Sequence, residues 1–131
     1  MKTSFKIQVD YPVGPSLIYD AWLDNQQHSL MTGGLASCSS VEGGRFTAWH
    51  GYINGKNLKL VKNELIIQEW RTSDFEENAQ SSRVIIKLKS VKGGSVLTLI
   101  HTGIPEDQPD YKTGWNDHYF IPMRKYFSRF N

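Results

Sequence analysis

The chain has 131 residues, carries 15 Lys and Arg against 13 Asp and Glu, and has a formal net charge of +2. That length suits one domain, residues 1–131, and is short for two. Scattered, nearly balanced charge argues against nucleic-acid binding, while the absence of a long apolar run argues against a membrane span or signal peptide. The single Cys38 rules out an internal disulfide and fits a reducing compartment, so a cytoplasmic protein is expected.

The first predicted element is a strand over residues 3–9, where Phe5, Ile7 and Val9 alternate with Ser4, Lys6 and Gln8. Pro12, Gly14 and Pro15 break it. Ser16 is placed to cap a helix whose Leu17, Ile18, Ala21 and Trp22 recur at helical spacing up to Asp24. A second short helix over 26–31 stops at Gly33-Gly34, with His28 expected on an exposed surface. From Gly43-Gly44 the punctuation becomes that of a strand meander. Strands are predicted at 45–52, 58–61, 65–72, 83–91 and 95–102. Asn54-Gly55 gives the signal of a type I′ hairpin, whose two central residues need positive φ. Short connections between consecutive strands require antiparallel pairing.

Parity assigns the faces of the sheet. Val84, Ile86 and Leu88 share one face; Leu97 and Leu99 share theirs with His101; Ile66 and Trp70 share theirs with Gln68. One face is buried and the other is mostly wet, as when helices cover a single side. The last segment is an amphipathic helix over 113–130, with Trp115, His118, Tyr119, Met123, Tyr126, Phe127 and Phe130 at three- and four-residue spacing. Pro122 lies within it and predicts a kink. The chain therefore reads as α+β, a curved antiparallel sheet wrapped around one long C-terminal helix.

Particular runs carry a resemblance. They are Glu42-Gly43-Gly44-Arg45-Phe46, Gly51-Tyr52-Ile53-Asn54-Gly55, Ile66-Ile67-Gln68-Glu69-Trp70-Arg71 and His101-Thr102-Gly103-Ile104-Pro105, followed by Gly114-Trp115, Tyr119, Pro122 and Tyr126. In that order the chain resembles the Hsp90-ATPase-activator C-terminal-like family (AHSA1-like) of the START-like, helix-grip superfamily. The resemblance implies the order β-α-α-β6-α and a cavity between helix and concave sheet. It also implies relatives that bind apolar ligands, activate Hsp90-type chaperones or act as cyclases.

The expected ligand cavity is lined by Phe46, His50, Gln68, Trp70, Leu99, His101, Trp115, Tyr119, Met123 and Tyr126. Trp22 and Trp49 are further pocket or core aromatics. The four histidines show no metal-binding spacing, so neither metal nor cofactor is expected, and no nucleophile motif is present. A histidine titrates near neutrality, yet acid–base catalysis needs a second positioned group that the sequence does not display. The leading expectation is a non-enzymatic domain binding a small apolar or aromatic molecule. The alternatives are a stress-response partner of an Hsp90-type chaperone, and a cyclase- or hydratase-like enzyme using His50, His101 or a tyrosine. The sequence leaves the oligomeric state open.

Overall fold

In the computed structural model, which describes residues 2–130, five strands follow two helices and precede a long helical run. The elements are β1 (Thr3–Tyr11), α1 (Pro15–Leu23), α2 (Asn25–Thr32), β2 (Arg45–Ala48), β3 (Ile53–Val61), β4 (Leu65–Thr72), β5 (Ser82–Val91) and β6 (Gly94–Ile104). Then come α3 (Tyr111–Trp115), a π-helical turn (Asn116–Phe120), α4 (Ile121–Phe127) and a closing 3₁₀ turn (Ser128–Phe130). The strands form one antiparallel sheet in the order β1-β6-β5-β4-β3-β2. The expected sixth strand after the helices is reduced to one bridge, Ser37 with Thr47, which flanks the edge of β2.

The helices pack on the concave face because its residues supply the apolar surface. Ile66, Val84, Ile86, Leu97 and Leu99 are fully buried there, and Met123 of α4 is fully buried in the same core. Burial of side chains of this size contributes roughly 1.5–3 kcal/mol each. Alternation along β4, β5 and β6 follows the predicted parity residue by residue. Among the described residues, no helix is long and apolar enough to cross a membrane.

Several local expectations are corrected. Ser16 does not cap α1; Gly14 takes that position in extended conformation and Pro15 opens the helix, where its missing N–H costs nothing. Asp24 instead caps α2, accepting from Gln27 N at 2.9 Å, and Gly33 ends it at φ 88°. The hairpin does not turn at Asn54-Gly55. Both residues lie in β3, paired with Thr47 and Phe46, and the turn falls at Trp49–Tyr52. A Cβ on Gly55 would stand 1.8 Å from the Glu69 carbonyl and 2.8 Å from the Phe46 ring. Space, rather than turn conformation, is what requires glycine there.

Pro122 acts differently from a simple kink. In an α-helix its nitrogen would face the His118 carbonyl with no proton to donate, and its ring would crowd that oxygen. The helix widens by one residue just before it, so the N–H of Ile121 reaches back to Asn116 O. The helical run thereby continues past the proline.

Candidate functional site

The turn between β2 and β3 is backbone-strained. Trp49 and His50 adopt φ of 51° and 60°, and Gly51 follows at 89°. A left-handed non-glycine residue costs on the order of 1 kcal/mol or more, and such strain collects at functional sites. His50 N donates to Leu35 O at 2.9 Å, which anchors the turn from outside. The conformation carries the Trp49 ring inward over Gly34, where a Cβ would lie 2.5 Å from ring atom Cε3.

Beneath that ring is a cavity of about 280 Å³ at one end of the sheet–helix junction. Trp49, Tyr52 and Ile53 form one wall, Trp70 and Tyr111 the floor, and Gly114, Trp115, His118 and Tyr119 the helical side. Gly114 leaves room where any side chain would project from α3. The Trp49 and His118 rings meet edge-on at 5.4 Å. The hydroxyls at the rim are engaged: Tyr52 donates to Asp74 Oδ2, and Tyr111 bonds Thr72 Oγ1 and Gln108 Oε1, each at 2.7 Å. Burial raises the pKa of both phenols, so they remain protonated at neutral pH. Trp49 Nε1 is buried without any hydrogen-bond partner.

Behind the cavity the core is polar in three places, and each chain of hydrogen bonds has a definite direction. An indole N–H only donates, so Trp115 Nε1 gives its proton to His101 Nδ1 at 3.0 Å. His101 is then protonated on Nε2, donating to Ser82 Oγ at 2.8 Å, and Ser82 passes its own proton to Trp70 O at 2.6 Å. Desolvation drops the pKa of His101 to about 3, which keeps the ring neutral. Similarly, Trp22 O can only accept from His28 Nδ1 at 2.8 Å, leaving Nε2 to accept from Tyr119 Oη at 2.7 Å. Burial also lowers the pKa of His28. In the third chain Trp22 Nε1 donates to Gln68 Oε1 at 3.4 Å, Gln68 to Asn57 Oδ1 at 2.9 Å, and Asn57 to Ser39 O at 2.8 Å.

Of the residues expected to line the cavity, Trp70, Trp115 and Tyr119 do so. Gln68 and His101 lie on the concave face, as parity required, but both are fully buried and bonded to protein groups. Phe46, Leu99, Met123 and Tyr126 are core residues away from the opening, and Tyr126 packs against Phe127 and Phe130. His50 is exposed on the strained turn and lies outside the cavity. His28, expected on the surface, is 1% exposed. Sequence reasoning left out Tyr52, Ile53, Tyr111, Gly114 and His118 as lining. His118 was legible as the residue one turn past Trp115, whereas Tyr111 lies before the predicted helix start. Among the described residues, no group of three His, Cys, Asp or Glu is placed to hold a metal ion.

A six-stranded antiparallel sheet gripping a C-terminal helix defines the helix-grip architecture, and comparison with known proteins gives the family. The chain belongs to the AHSA1 family, described as "Activator of Hsp90 ATPase homolog 1-like protein", whose model matches residues 12–128. It is 24% identical over 126 residues to an activator of 90 kDa heat shock protein ATPase homolog from Dictyostelium discoideum. That match covers 95% of this chain but 33% of the relative, so the chain spans about a third of that protein's length. Its fold superposes on a crystal structure of an HSP90 activator from Plasmodium falciparum with a TM-score of 0.85 at 27% identity, covering 95% and 96% of the two chains. The solution structure of an Aha1 dimer from Colwellia psychrerythraea has the same fold, with a TM-score of 0.75 at 14% identity and coverage of 95% and 93%.

Proposed function

We propose that this domain binds a small, flat, mostly aromatic molecule in the cavity beneath Trp49. The observation that carries the reading is the aromatic lining of the cavity by Trp49, Trp70, Tyr111, Trp115 and Tyr119. A flat apolar ligand stacked against Trp70 and Trp115 gains burial and ring–ring contact. The volume of about 280 Å³ lies at the foot of the roughly 300–1,000 Å³ range of small-molecule sites. It favours one or two fused rings over a lipid chain. Of the histidines named for an enzymatic reading, His101 has both ring nitrogens engaged in its buried chain and His50 stands outside the cavity.

Fluorescence titration with naphthalene tests the reading, on wild type and on a Gly114→Leu variant that fills the space beside α3. Wild type should bind saturably, and Gly114→Leu should abolish binding while its circular dichroism matches wild type. No saturable binding of naphthalene, or binding that survives unchanged in Gly114→Leu, would sink the proposal.

A second reading follows from the relatives, two of which are named as Hsp90 activators. On this reading the domain contacts an Hsp90-type chaperone. Stimulation of that chaperone's ATPase by the purified chain would support it, and no binding at tens of micromolar would remove it.

A further inference from the structure

The sheet has a second face, and its register assembles what the linear sequence scatters. On the convex side Lys6, Ile100, Ile85, Ile67 and Lys59 fall in one row across five neighbouring strands. The three isoleucines are half-buried and the two lysines are exposed. At about 4.8 Å per strand step the lysine Cα atoms stand roughly 19 Å apart, with a continuous apolar strip between them. Lys87 and Arg83 flank Ile85 along β5, Lys89 lies one pleat beyond, and Lys56 shares a row with Arg83.

The carboxylates on this face are Asp10, which pairs with Arg124 at 3.9 Å, and Glu69, between Lys56 and Arg83. No ion pair links Lys6, Lys56, Lys59, Arg83, Lys87 or Lys89 to a carboxylate among the described residues. The whole chain is nearly balanced at 15 cations to 13 anions. The bias therefore belongs to the face and not to the composition.

We propose that the convex face of the sheet is a docking surface for an acidic protein surface with an apolar centre. An apolar strip ringed by unpaired cations has the anatomy of a protein interface, in which the centre is desolvated and the charged rim sets orientation and encounter rate. The occupant must be acidic, because cations outnumber carboxylates on this face and Lys6, Lys59, Lys87 and Lys89 have no carboxylate opposite them in the sheet, and this also disfavours a second copy of the same face. Nucleic acid fits less well: the strip lies where a backbone tracker needs cations, and the face presents no aromatic ring for a base to stack on. A membrane fits less well because the isoleucines sit within the pleat and no aromatic side chain projects from it. With β5 about 33 Å long and the row about 19 Å wide, the face covers roughly 600 Å². That is the small end of specific interfaces and implies a transient, salt-sensitive contact. The inference is independent of the cavity and does not require the partner to be a chaperone.

Site-specific photocrosslinking in the full chain tests it. A photoreactive residue replaces Thr98 beside Ile100 and Ile85, with Ser16 on α1 as the control site; the captured protein is identified, purified and titrated. An acidic partner that binds wild type and loses at least tenfold affinity to both Ile85→Asp and Lys6→Glu/Lys59→Glu would carry the proposal. The charge variant decides alone if Ile85→Asp does not fold. Absence of an adduct above the Ser16 control, or a partner that binds the variants as tightly as wild type, would overturn it. So would saturable binding of a DNA duplex or of phosphatidylserine vesicles that the same variants abolish. An Hsp90-type chaperone is titrated in parallel: if it binds wild type and both variants equally, the chaperone reading stands and the face falls, and if it fails to bind while another acidic partner passes, the reverse holds.

Discussion

The hydroxyl of Tyr119 donates to Nε2 of His28 across 2.7 Å, joining the π-turn of the C-terminal helix to α2. Both side chains are buried, and the other nitrogen of His28 is held by Trp22 O. The bond therefore closes a chain that water does not reach. Tyr119→Phe keeps the ring but leaves an acceptor on His28 unpaired, so it should lower stability by about 1–3 kcal/mol. Urea unfolding measures this; a midpoint equal to wild type would show the bond contributes nothing.

Acid should weaken the fold before carboxylates protonate. His28 and His101 are held neutral by burial, His101 down to about 3, whereas the unfolded chain takes up protons near pH 6.5. A depressed folded pKa gives stability that is complete above pH 6.5 and is lost as pH falls from there toward the folded value. Each histidine contributes a slope of at most about 1.4 kcal/mol per pH unit in that window. The urea midpoint should be clearly lower at pH 5 than at pH 7; identical midpoints would contradict the neutral assignment of both rings.

Gly34→Ala should disturb the cavity without touching its lining. The added methyl would lie 2.5 Å from Trp49 Cε3, and the ring must move to relieve it. The expected result is a shifted Trp emission, weaker probe binding and a loss of about 1–3 kcal/mol from overpacking. Unchanged emission together with unchanged binding would refute the placement of that ring.

Gly55→Ala should be more damaging than any other change in the β2–β3 hairpin. The contact is with the backbone carbonyl of Glu69 as well as the Phe46 ring, and backbone cannot swing aside. A loss of about 3 kcal/mol or more, or failure to accumulate as folded protein, is expected. A circular dichroism melt within a degree or two of wild type would count against it.

Much of the architecture was legible because it is written in short-range pattern. Val84, Ile86 and Leu88 alternate on β5, and the 115–119–123–126 spacing marks one helical face; both survive folding because burial follows them directly. The turn was misplaced because Asn54-Gly55 is a strong local signal, whereas Trp49 and His50 enter the left-handed region with no propensity to announce it. His28 was hidden by the polar sequence of α2, whose buried face is made by what packs on it. For Gln68 and His101, parity gave the correct side of the sheet. Whether a side chain on that side meets empty space or a hydrogen-bonding neighbour is decided by residues distant in sequence, such as Trp22 and Trp115.

The widened turn at Asn116–Phe120 has a consequence for chain length. A π-turn is geometrically an α-helix with one residue inserted, and the flanking helical segments keep the faces they would have without it. Removing a single residue between 116 and 120 would keep α3 and α4 in phase but close the stretch to ordinary pitch, which brings the carbonyl four residues before Pro122 back against its ring, so a gap of one should be tolerated here only together with Pro122→Ala. The same removal two turns later would rotate Tyr126 and Phe127 off the sheet by about 100°.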